Sequence, residues 1–345
     1  MSVGKVIAPA EAEDGTGTVG GFIQLRSKEG DTSHHILTNF HVIKTPRLQQ
    51  HLEPAPLQSI CLPRGSTAHP VKVPSHFDSK VMLESLDKSI QTWHAKVHDS
   101  YGGRPSCFDR AEMGDKGAQW QVEDSKNRIE QHEKSKLEIL ESSKRPAGAV
   151  RATSGYQHIG WNNKKLALDW ALVEVDSSRL LAYTLPSSPE TVLVQKDFDV
   201  PSWANDPEQR WSRSPQLSQE VVKLGRMTGW TCGRLGPATC FWRSLAKDDH
   251  EVGEWYDRYG TVVECLQVFG RFEEEKPHDS LRNPLLFAAG GDSGSVVKDF
   301  YTGAWVGLLF CAHRTGWALM TPMAAVMHSI ESVTGEEVVD PVAME

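Results

Sequence analysis

Ala288-Ala289-Gly290-Gly291-Asp292-Ser293-Gly294-Ser295-Val296-Val297 is the stretch that restricts the interpretation of this 345-residue chain most. Its glycines permit positive φ angles, and the apolar β-formers after them favour a tight turn that leads into a buried strand. Such a turn can present the Ser293 hydroxyl beside backbone N–H groups that bind an anion, the arrangement that acyl transfer requires. Gly-Asp-Ser-Gly also occurs in ordinary hairpin loops, so the turn alone does not establish catalysis.

A candidate base and a candidate carboxylate lie upstream of this turn. His41 follows the short β-rich run 36–38 and the polar Asn39. Asp169 interrupts the almost continuous apolar run 166–175, where burial of a carboxylate is costly unless it is hydrogen-bonded. A histidine N–H is a suitable partner, because the carboxylate then fixes its tautomer. Taken singly, His41 also fits a core histidine and Asp169 fits a strand-end aspartate.

The three blocks together resemble those of the trypsin-like serine peptidases, which carry histidine, aspartate and serine in this order. The blocks are Thr38-Asn39-Phe40-His41-Val42, Leu168-Asp169-Trp170-Ala171-Leu172-Val173 and Gly291-Asp292-Ser293-Gly294-Ser295. The Asn-x-His-Val form is closer to the intracellular, bacterial and viral branches than to the digestive enzymes. Segments similar to the family's first strand, to the start of its second barrel and to its strand pair after the nucleophile are 17–23, 222–231 and 302–310.

The resemblance implies both a fold and an activity. The implied fold is all-β dominated, with two six-stranded antiparallel β-barrels of the chymotrypsin type, an inserted helical hairpin and a C-terminal helix. The implied activity is that of a serine endopeptidase, in which Ser293 attacks, His41 acts as general base and Asp169 holds the imidazolium. The backbone N–H groups of Gly291 and Ser293 would form the oxyanion hole. No cofactor or metal is expected, and the expected partner is a polypeptide substrate.

Substrate-binding residues are also implied by the resemblance. The residue six before the nucleophile often lies at the base of the specificity pocket, and here it is Phe287. Because Phe287 and Ala288 offer no acid to a lysine or arginine, we expect an apolar or small residue before the cleaved bond. The substrate should add a strand along Phe310, Cys311 and Ala312. His313 would favour an acidic or amide side chain if it lines the pocket, and otherwise it is an ordinary surface-loop histidine.

In relatives that are activated by cleavage, the aspartate before the nucleophile pairs with a newly formed N-terminus. The matching residue here is Asp292. No convincing activation site is present, although Val19-Gly20-Gly21-Phe22 is faintly similar to one. We therefore expect the chain to fold directly into a competent form, or to be switched by its insertion or by a partner.

The predicted organisation is a discontinuous first barrel followed by a second barrel. Residues 1–77 and 146–185 form the first barrel, 186–330 form the second barrel with the C-terminal helix, and 331–345 form an acidic tail. Residues 78–145 form a helical insertion whose apolar residues recur at helical spacing, namely Met82, Leu86, Ile90, Trp93 and Val97. The first helix would be capped by Asp78 or Ser79, and the second would cover 115–144 and stop before Pro146. The insertion is either a solvated elaboration or a lid and possible protein-partner surface.

Composition and charge exclude several classes of protein. The net charge of −8 argues against nucleic acid or an anionic membrane as the main partner. No stretch is long and apolar enough to span a bilayer, and the first ten residues lack the apolar centre of a secretion signal. The six scattered cysteines are expected to be reduced thiols, which favours an intracellular location, cytoplasmic or nuclear; the alternative is that Cys232 and Cys240 pair across a hairpin. The chain is expected to carry no PDZ-type module.

Two further classes remain open at this point. The first is a catalytically idle binding module that keeps the protease fold and uses the cleft and the insertion for partners. The second is a metal-stabilised variant, because Cys311 and His313 with Cys232 and Cys240 supply zinc-type ligands. Their spacing is unlike that of the common zinc modules.

Overall fold

The computed structural model describes residues 6–11, 17–50, 59–99, 105–175, 211–212, 215–242, 263–270, 286–313 and 316–339. These residues form two compact units. The larger unit is Met1–Val73 with Ala147–Glu345, and the smaller unit is Pro74–Pro146. Strands dominate the larger unit, and the smaller unit is helical.

The elements are named in chain order. The strands are β1 (Val6–Pro9), β2 (Gly17–Thr18), β3 (Gly21–Arg26), β4 (Thr32–Thr38), β5 (Ile60–Cys61), β6 (Pro70–Lys72), β7 (Gly148–Thr153), β8 (Gln157–Trp161), β9 (Lys164–Leu168), β10 (Ala171–Val175), β11 (Glu220–Gly225), β12 (Gly229–Trp242), β13 (Val263–Gly270), β14 (Val296–Asp299), β15 (Trp305–Ala312), β16 (Ala318–Pro322) and β17 (Glu337–Val339). The helices are α1 (Phe40–Ile43), α2 (Pro46–Gln50), α3 (His76–His98), α4 (Cys107–Glu112), α5 (Lys116–Lys144) and α6 (Met323–Thr334).

Six antiparallel strands of the larger unit close into a barrel. They pair in the order β12, β11, β14, β15, β16 and β13, and β13 pairs again with β12. The hairpin of β8 and β9 is attached to β13 by one parallel pairing, between Glu264 and Leu166. This hairpin therefore belongs to the second sheet, although its residues fall within the range 146–185 that we assigned to the first barrel.

The other sheet of the larger unit is a half-barrel. Its order is β17, β3, β4, β10, β7, β6, β1 and β2, and β5 also pairs with β7. The outer edge of β3 is covered by β17, and the described strands at the two ends do not pair with each other. The all-β dominated fold is thus confirmed, while the two closed barrels that we expected are one closed barrel and one half-barrel. Residues 337–339, which we expected in an acidic tail, form the covering strand.

The two sheets and α6 share one hydrophobic core. Ile23 and Leu37 of the half-barrel pack in one cluster with Trp305 of the closed barrel and with Val326 and Ile330 of α6. All five side chains are at most 1% exposed. Burial of side chains of this size contributes about 1.5–3 kcal/mol each. This shared core holds the two sheets together, so loops from both can contribute to one site.

Three helices lie in the described part of the smaller unit, namely α3, α4 and α5. α5 covers Lys116–Lys144, within one residue of the predicted range 115–144, and Asp115 is its N-cap. α3 begins earlier than we predicted, because Ser75 rather than Asp78 or Ser79 is the N-cap and accepts from Asp78 N. α4 was not predicted, since the proline- and glycine-containing link obscures it. Among the described residues, no helix has the length and apolar content needed to cross a membrane.

Candidate active site

His41 and Asp169 are brought together by the pairing of β4 with β10. Thr38, the last residue of β4, is the register partner of Ala171, the first residue of β10. The chain after Thr38 and the chain before Ala171 therefore meet at one end of the sheet. His41 lies in α1, which begins at this end.

Asp169 holds the segment around His41 through its side chain and its backbone. His41 Nδ1 lies 2.5 Å from Asp169 Oδ2, and the His41 backbone N–H donates to Oδ1 at 3.0 Å. The Asp169 carbonyl accepts from Asn39 Nδ2 at 2.6 Å and from Phe40 N at 3.3 Å. Asn39 is the N-cap of α1 but makes no side-chain cap bond, and the N–H groups of Phe40 and His41 donate to Asp169 instead. These four contacts fix the orientation of the imidazole.

The electrostatics of this pair favour a ring that can accept a proton. Burial alone would lower the pKa of His41, but the charge and hydrogen bond of Asp169 outweigh burial and raise it. With Nδ1 facing the carboxylate, the neutral ring carries its proton there and Nε2 is the acceptor. The pair can therefore take a proton at Nε2 and stabilise the resulting imidazolium.

The loop that carries Ser293 packs against the segment that precedes His41. A Cβ added at Gly294 would lie 2.5 Å from Thr38 Oγ1 and 3.4 Å from Asn39 N. Gly294 also has a φ of +93°, which side chains rarely adopt. Glycine is needed here for both reasons, and the close approach places the serine loop beside the histidine segment.

A second close approach involves Val42, the residue after His41. A Cβ added at Gly17 would lie 2.3 Å from Val42 Cγ2 and 2.8 Å from Ser293 O. The Ser293 hydroxyl itself donates to Phe310 O at 3.4 Å, and it makes no hydrogen bond to His41 among the described residues. Rotation about the Ser293 Cα–Cβ bond would redirect it. Catalytic hydrogen bonds are often long or misaligned before a substrate binds.

Two backbone N–H groups in the serine loop have no acceptor within the described part of the chain. They belong to Gly291 and Ser293, whereas the Asp292 N–H between them donates to Ala289 O at 3.0 Å. Gly291 has a φ of +96°, a conformation suited to glycine. Two such N–H groups beside a nucleophile are the elements of an oxyanion hole.

Asp292 is fully buried and accepts hydrogen bonds from several partners. Lys223 Nζ, also fully buried, lies 3.0 Å from Asp292 Oδ2. Oδ2 also accepts from Thr228 Oγ1 at 2.8 Å and from Ala289 N at 3.0 Å, and Oδ1 accepts from Met227 N at 2.7 Å. We call Asp292, Lys223 and Thr228 the Asp292 cluster. It ties the residue before Ser293 to β11 and to the turn after it.

The Asp292 cluster keeps its carboxylate ionised. Burial would raise the pKa of Asp292, but the Lys223 charge and the hydrogen bonds outweigh burial and lower it. Burial lowers the pKa of Lys223, although the Asp292 charge opposes this. The cation beside Asp292 therefore comes from within the chain.

The predicted pocket residue Phe287 lies in the core of the closed barrel. Its side chain and that of Ala288 are at most 1% exposed, and both belong to the barrel's hydrophobic cluster. The Phe287 carbonyl accepts from Thr231 Oγ1 at 2.7 Å. Lys223 Nζ lies 5.6 Å from the centre of the Phe287 ring. The segment thus forms a packed wall behind the serine loop.

The other predicted substrate-binding residues lie at the end of β15. β14 begins at Val296, opposite Leu308, so residues 310–312 of β15 extend beyond it. Phe310 is buried, and the residues after it are partly exposed, namely Cys311, Ala312 and His313. The His313 ring stacks on Trp317 with ring centroids 4.3 Å apart.

Sequence reasoning did not single out Lys223, Thr228 or Thr18, all of which touch the serine loop or its aspartate. Lys223 carried a detectable signal, because it interrupts the otherwise apolar run of β11 and buried lysines need a partner. Thr18 and Thr228 gave no comparable signal in the sequence, because threonine is common in strands.

Among the described residues, no group of three histidine, cysteine or acidic side chains has the geometry to hold a metal ion. Cys311 and His313 lie at the end of β15, and Cys232 lies in β12. Cys240, the remaining ligand of the metal-stabilised alternative, falls among residues whose side chains the structure does not describe.

No family model matches the chain, and no curated protein matches it. Several solved structures are similar to it. A glutamic acid specific serine protease that utilizes a novel histidine triad in substrate binding has a TM-score of 0.41 and 10% identity, over 98% of this chain and 100% of that chain. Thermobifida fusca Protease A has a TM-score of 0.41 and 11% identity, over 99% of this chain and 100% of that chain. A Nocardiopsis protease has a TM-score of 0.40 and 12% identity, over 98% of this chain and 99% of that chain. The fold described above follows from the strand pairing.

Proposed function

We propose that this protein is a serine endopeptidase that hydrolyses peptide bonds through Ser293, His41 and Asp169 and an acyl-enzyme intermediate. The observation that carries the proposal is the 2.5 Å contact between His41 Nδ1 and Asp169 Oδ2, beside the loop that bears Ser293. The closed six-stranded barrel and the half-barrel that supply these residues are consistent with it.

In the proposed reaction, His41 Nε2 takes the hydroxyl proton of Ser293 while Oγ attacks the scissile carbonyl carbon. The tetrahedral intermediate places its oxyanion between the N–H groups of Gly291 and Ser293, which lack an acceptor among the described residues. His41 then donates its proton to the leaving amine, and water repeats the sequence on the acyl-enzyme. Asp169 stabilises the imidazolium in both halves, in keeping with the raised pKa of His41.

The proposed enzyme needs no cleavage of its chain to become active. Lys223 supplies the cation that Asp292 requires, and both side chains are fully buried. Active protein whose N-terminus proved to be trimmed to Val19 would contradict this part of the proposal, and intact mass spectrometry of purified protein can detect it.

We also propose that a polypeptide substrate adds a strand along residues 310–312 and prefers an apolar or small residue before the cleaved bond. The extension of β15 beyond β14 supports the added strand. The wall segment 287–289 is Phe-Ala-Ala and presents no carboxylate, which argues against lysine or arginine at that position. Cleavage profiling with a peptide library measures this preference directly.

The test of the function is labelling by a fluorophosphonate probe, which reacts with activated serines. The wild-type chain should be labelled at Ser293, as located by mass spectrometry of the modified peptide. Ser293→Ala should not be labelled, and its peptidase activity should fall by roughly a million-fold. Ser135→Ala, which changes a serine of α5 far along the chain from all three residues, is the control and should behave as wild type.

An idle binding module is the second candidate, and one observation favours it. The Ser293 hydroxyl is directed at Phe310 O rather than at His41. If that orientation persists in solution, the wild-type chain will not react with the probe even though it is folded. Labelling of the wild type therefore separates the two candidates.

A further inference from the structure

Thr18 contacts three segments, namely the loop that carries Ser293, the end of β4 and the turn after β11. It is fully buried. Its N–H donates to Ser293 O at 2.8 Å, and its hydroxyl donates to Gly291 O at 3.0 Å. The same hydroxyl accepts from Arg226 N at 3.2 Å, and the Thr18 carbonyl accepts from Thr38 Oγ1 at 3.0 Å. All of its hydrogen-bonding groups are therefore engaged.

Thr18 acts on the two peptide groups that flank the proposed oxyanion donors. A peptide group is planar, so fixing its carbonyl oxygen also fixes its N–H. The peptide after Gly291 is held at both ends, by Thr18 Oγ1 at the oxygen and by Ala289 O at the Asp292 nitrogen. The peptide after Ser293 has its oxygen bonded to the Thr18 N–H.

Removal of the Thr18 hydroxyl would disturb the loop that carries Ser293. Without it, Gly291 O would lose the hydroxyl that donates to it, and an unsatisfied buried polar group is costly enough to drive rearrangement. Rotation of the peptide at Gly291 is the shortest route to a new partner, and it would turn that residue away from the proposed oxyanion position.

We propose that the Thr18 hydroxyl is a positioning group, which holds the loop of Gly291 and Ser293 in the conformation that binds the oxyanion. The proposal rests on the proposed peptidase function and deepens it, because it assigns to a half-barrel residue a role in holding the loop that precedes β14 of the closed barrel. Thr18 does not touch the substrate. It acts only through the carbonyl groups it binds.

The test measures fluorophosphonate labelling as two constants, the rate at saturation and the probe concentration for half-maximal rate. Thr18→Val keeps the shape and removes the hydroxyl. We expect its saturating rate to fall roughly 10- to 100-fold with an unchanged half-saturating concentration, because misplacement of a catalytic group by about 1 Å costs on this order. Thr18→Ser keeps the hydroxyl and should restore most of the rate.

Thr321→Val is the matched control. Thr321 is also buried, and its hydroxyl donates to a backbone carbonyl, that of Ala167, at 2.8 Å. Both valine variants should lower the melting temperature, but only the Thr18 variant should slow labelling. If Thr18→Val does not fold, Thr18→Ala replaces it with the same expectation.

Three results would overturn the proposal. They are a Thr18→Val protein that is labelled at the wild-type rate, a Thr18→Ser protein as slow as Thr18→Val, and a Thr321→Val protein that is equally slow. Failure of the peptidase function has a different signature, since the wild type would then not be labelled or Ser293→Ala would still be.

Discussion

The larger unit buries two polar clusters that differ in how completely they are satisfied. In the Asp292 cluster, the carboxylate accepts from Lys223, from Thr228 and from backbone N–H groups. The second group, which we call the His35 cluster, comprises His35, Arg151 and Glu336. Arg151 Nη2 and Glu336 Oε1 lie 2.9 Å apart. Arg151 Nη1 also donates to Leu62 O, but Arg151 Nε, Glu336 Oε2 and both ring nitrogens of His35 make no hydrogen bond of normal geometry to a described residue.

This difference indicates where the fold requires a fixed geometry. Asp292 adjoins Ser293, the proposed nucleophile, and a carboxylate held by several donors has one low-energy position. His35 is a fully buried residue of β4 and remains neutral, because burial and then the charge of Arg151 lower its pKa to about 3. The Asp292 cluster holds the loop that carries Ser293 in place. The His35 cluster leaves buried polar atoms without hydrogen bonds and holds no such loop among the described residues.

The largest effect should follow from breaking the Asp292 cluster. Lys223→Met keeps the length of the side chain and removes the charge, which leaves Asp292 buried without its cation. We expect a loss of about 3–5 kcal/mol in the free energy of unfolding. We also expect kcat/KM to fall by about 100-fold or more, because the oxyanion loop loses its support. Chemical denaturation and labelling kinetics measure the two effects.

Lys298→Met is the matched control for this change. Lys298 is also a buried strand lysine of the closed barrel, and burial lowers its pKa to about 7. Among the described residues the ion-pair partner of Asp292 is Lys223, so replacement of Lys298 should leave kcat/KM at the wild-type level. Equal losses of activity in the two variants would mean that burial of any lysine matters and that the pair with Asp292 does not.

A smaller effect should follow from replacing the neutral histidine. The folded pKa of His35 lies below its ordinary unfolded value of about 6.5, so the unfolded chain binds more protons as the pH falls. The stability that neutral His35 permits is complete above that value and is lost toward the folded pKa of about 3. Between about pH 7.5 and pH 5, the wild type should lose roughly 2 kcal/mol more than His35→Leu.

Urea unfolding at both pH values measures this difference. His94→Leu, which replaces an exposed histidine of α3, is the control and should follow the wild-type pH dependence. If His35→Leu lost as much stability on acidification as the wild type, His35 would not be a neutral buried group in solution.

The smallest effect should follow from a change that touches neither cluster. Val71 and Gly148, just outside the smaller unit, are register partners, and Ala147 N donates to Val71 O at 2.7 Å. Replacement of Pro74–Pro146 by a short Gly-Ser linker should therefore leave the larger unit folded, with its Ser293 labelling rate and its melting temperature close to those of the full chain. Lost labelling with retained folding would show that the helical unit completes the site.

The sequence predicts three candidate site residues because catalysis needs particular functional groups in recognisable local patterns. Asp169 is visible as a charge inside an apolar run, and Ser293 lies in a glycine-rich turn. Thr18 could not be predicted, since its role depends on Gly291, which is 273 residues away. The half-barrel could not be predicted either, because the strand that covers the edge of β3 comes from residues 337–339 near the opposite end of the chain.

Local chemistry alone was enough for the position of α5, the β-rich character of the larger unit and the choice of the candidate nucleophile, base and carboxylate. Each of these depends on neighbours within a few residues. Which polar groups are satisfied, which cation faces Asp292 and where the Ser293 hydroxyl points emerged only in three dimensions. The physical reason is that hydrogen bonds and ion pairs are decided by distances of a few ångströms, and only the pairing of distant strands creates those distances.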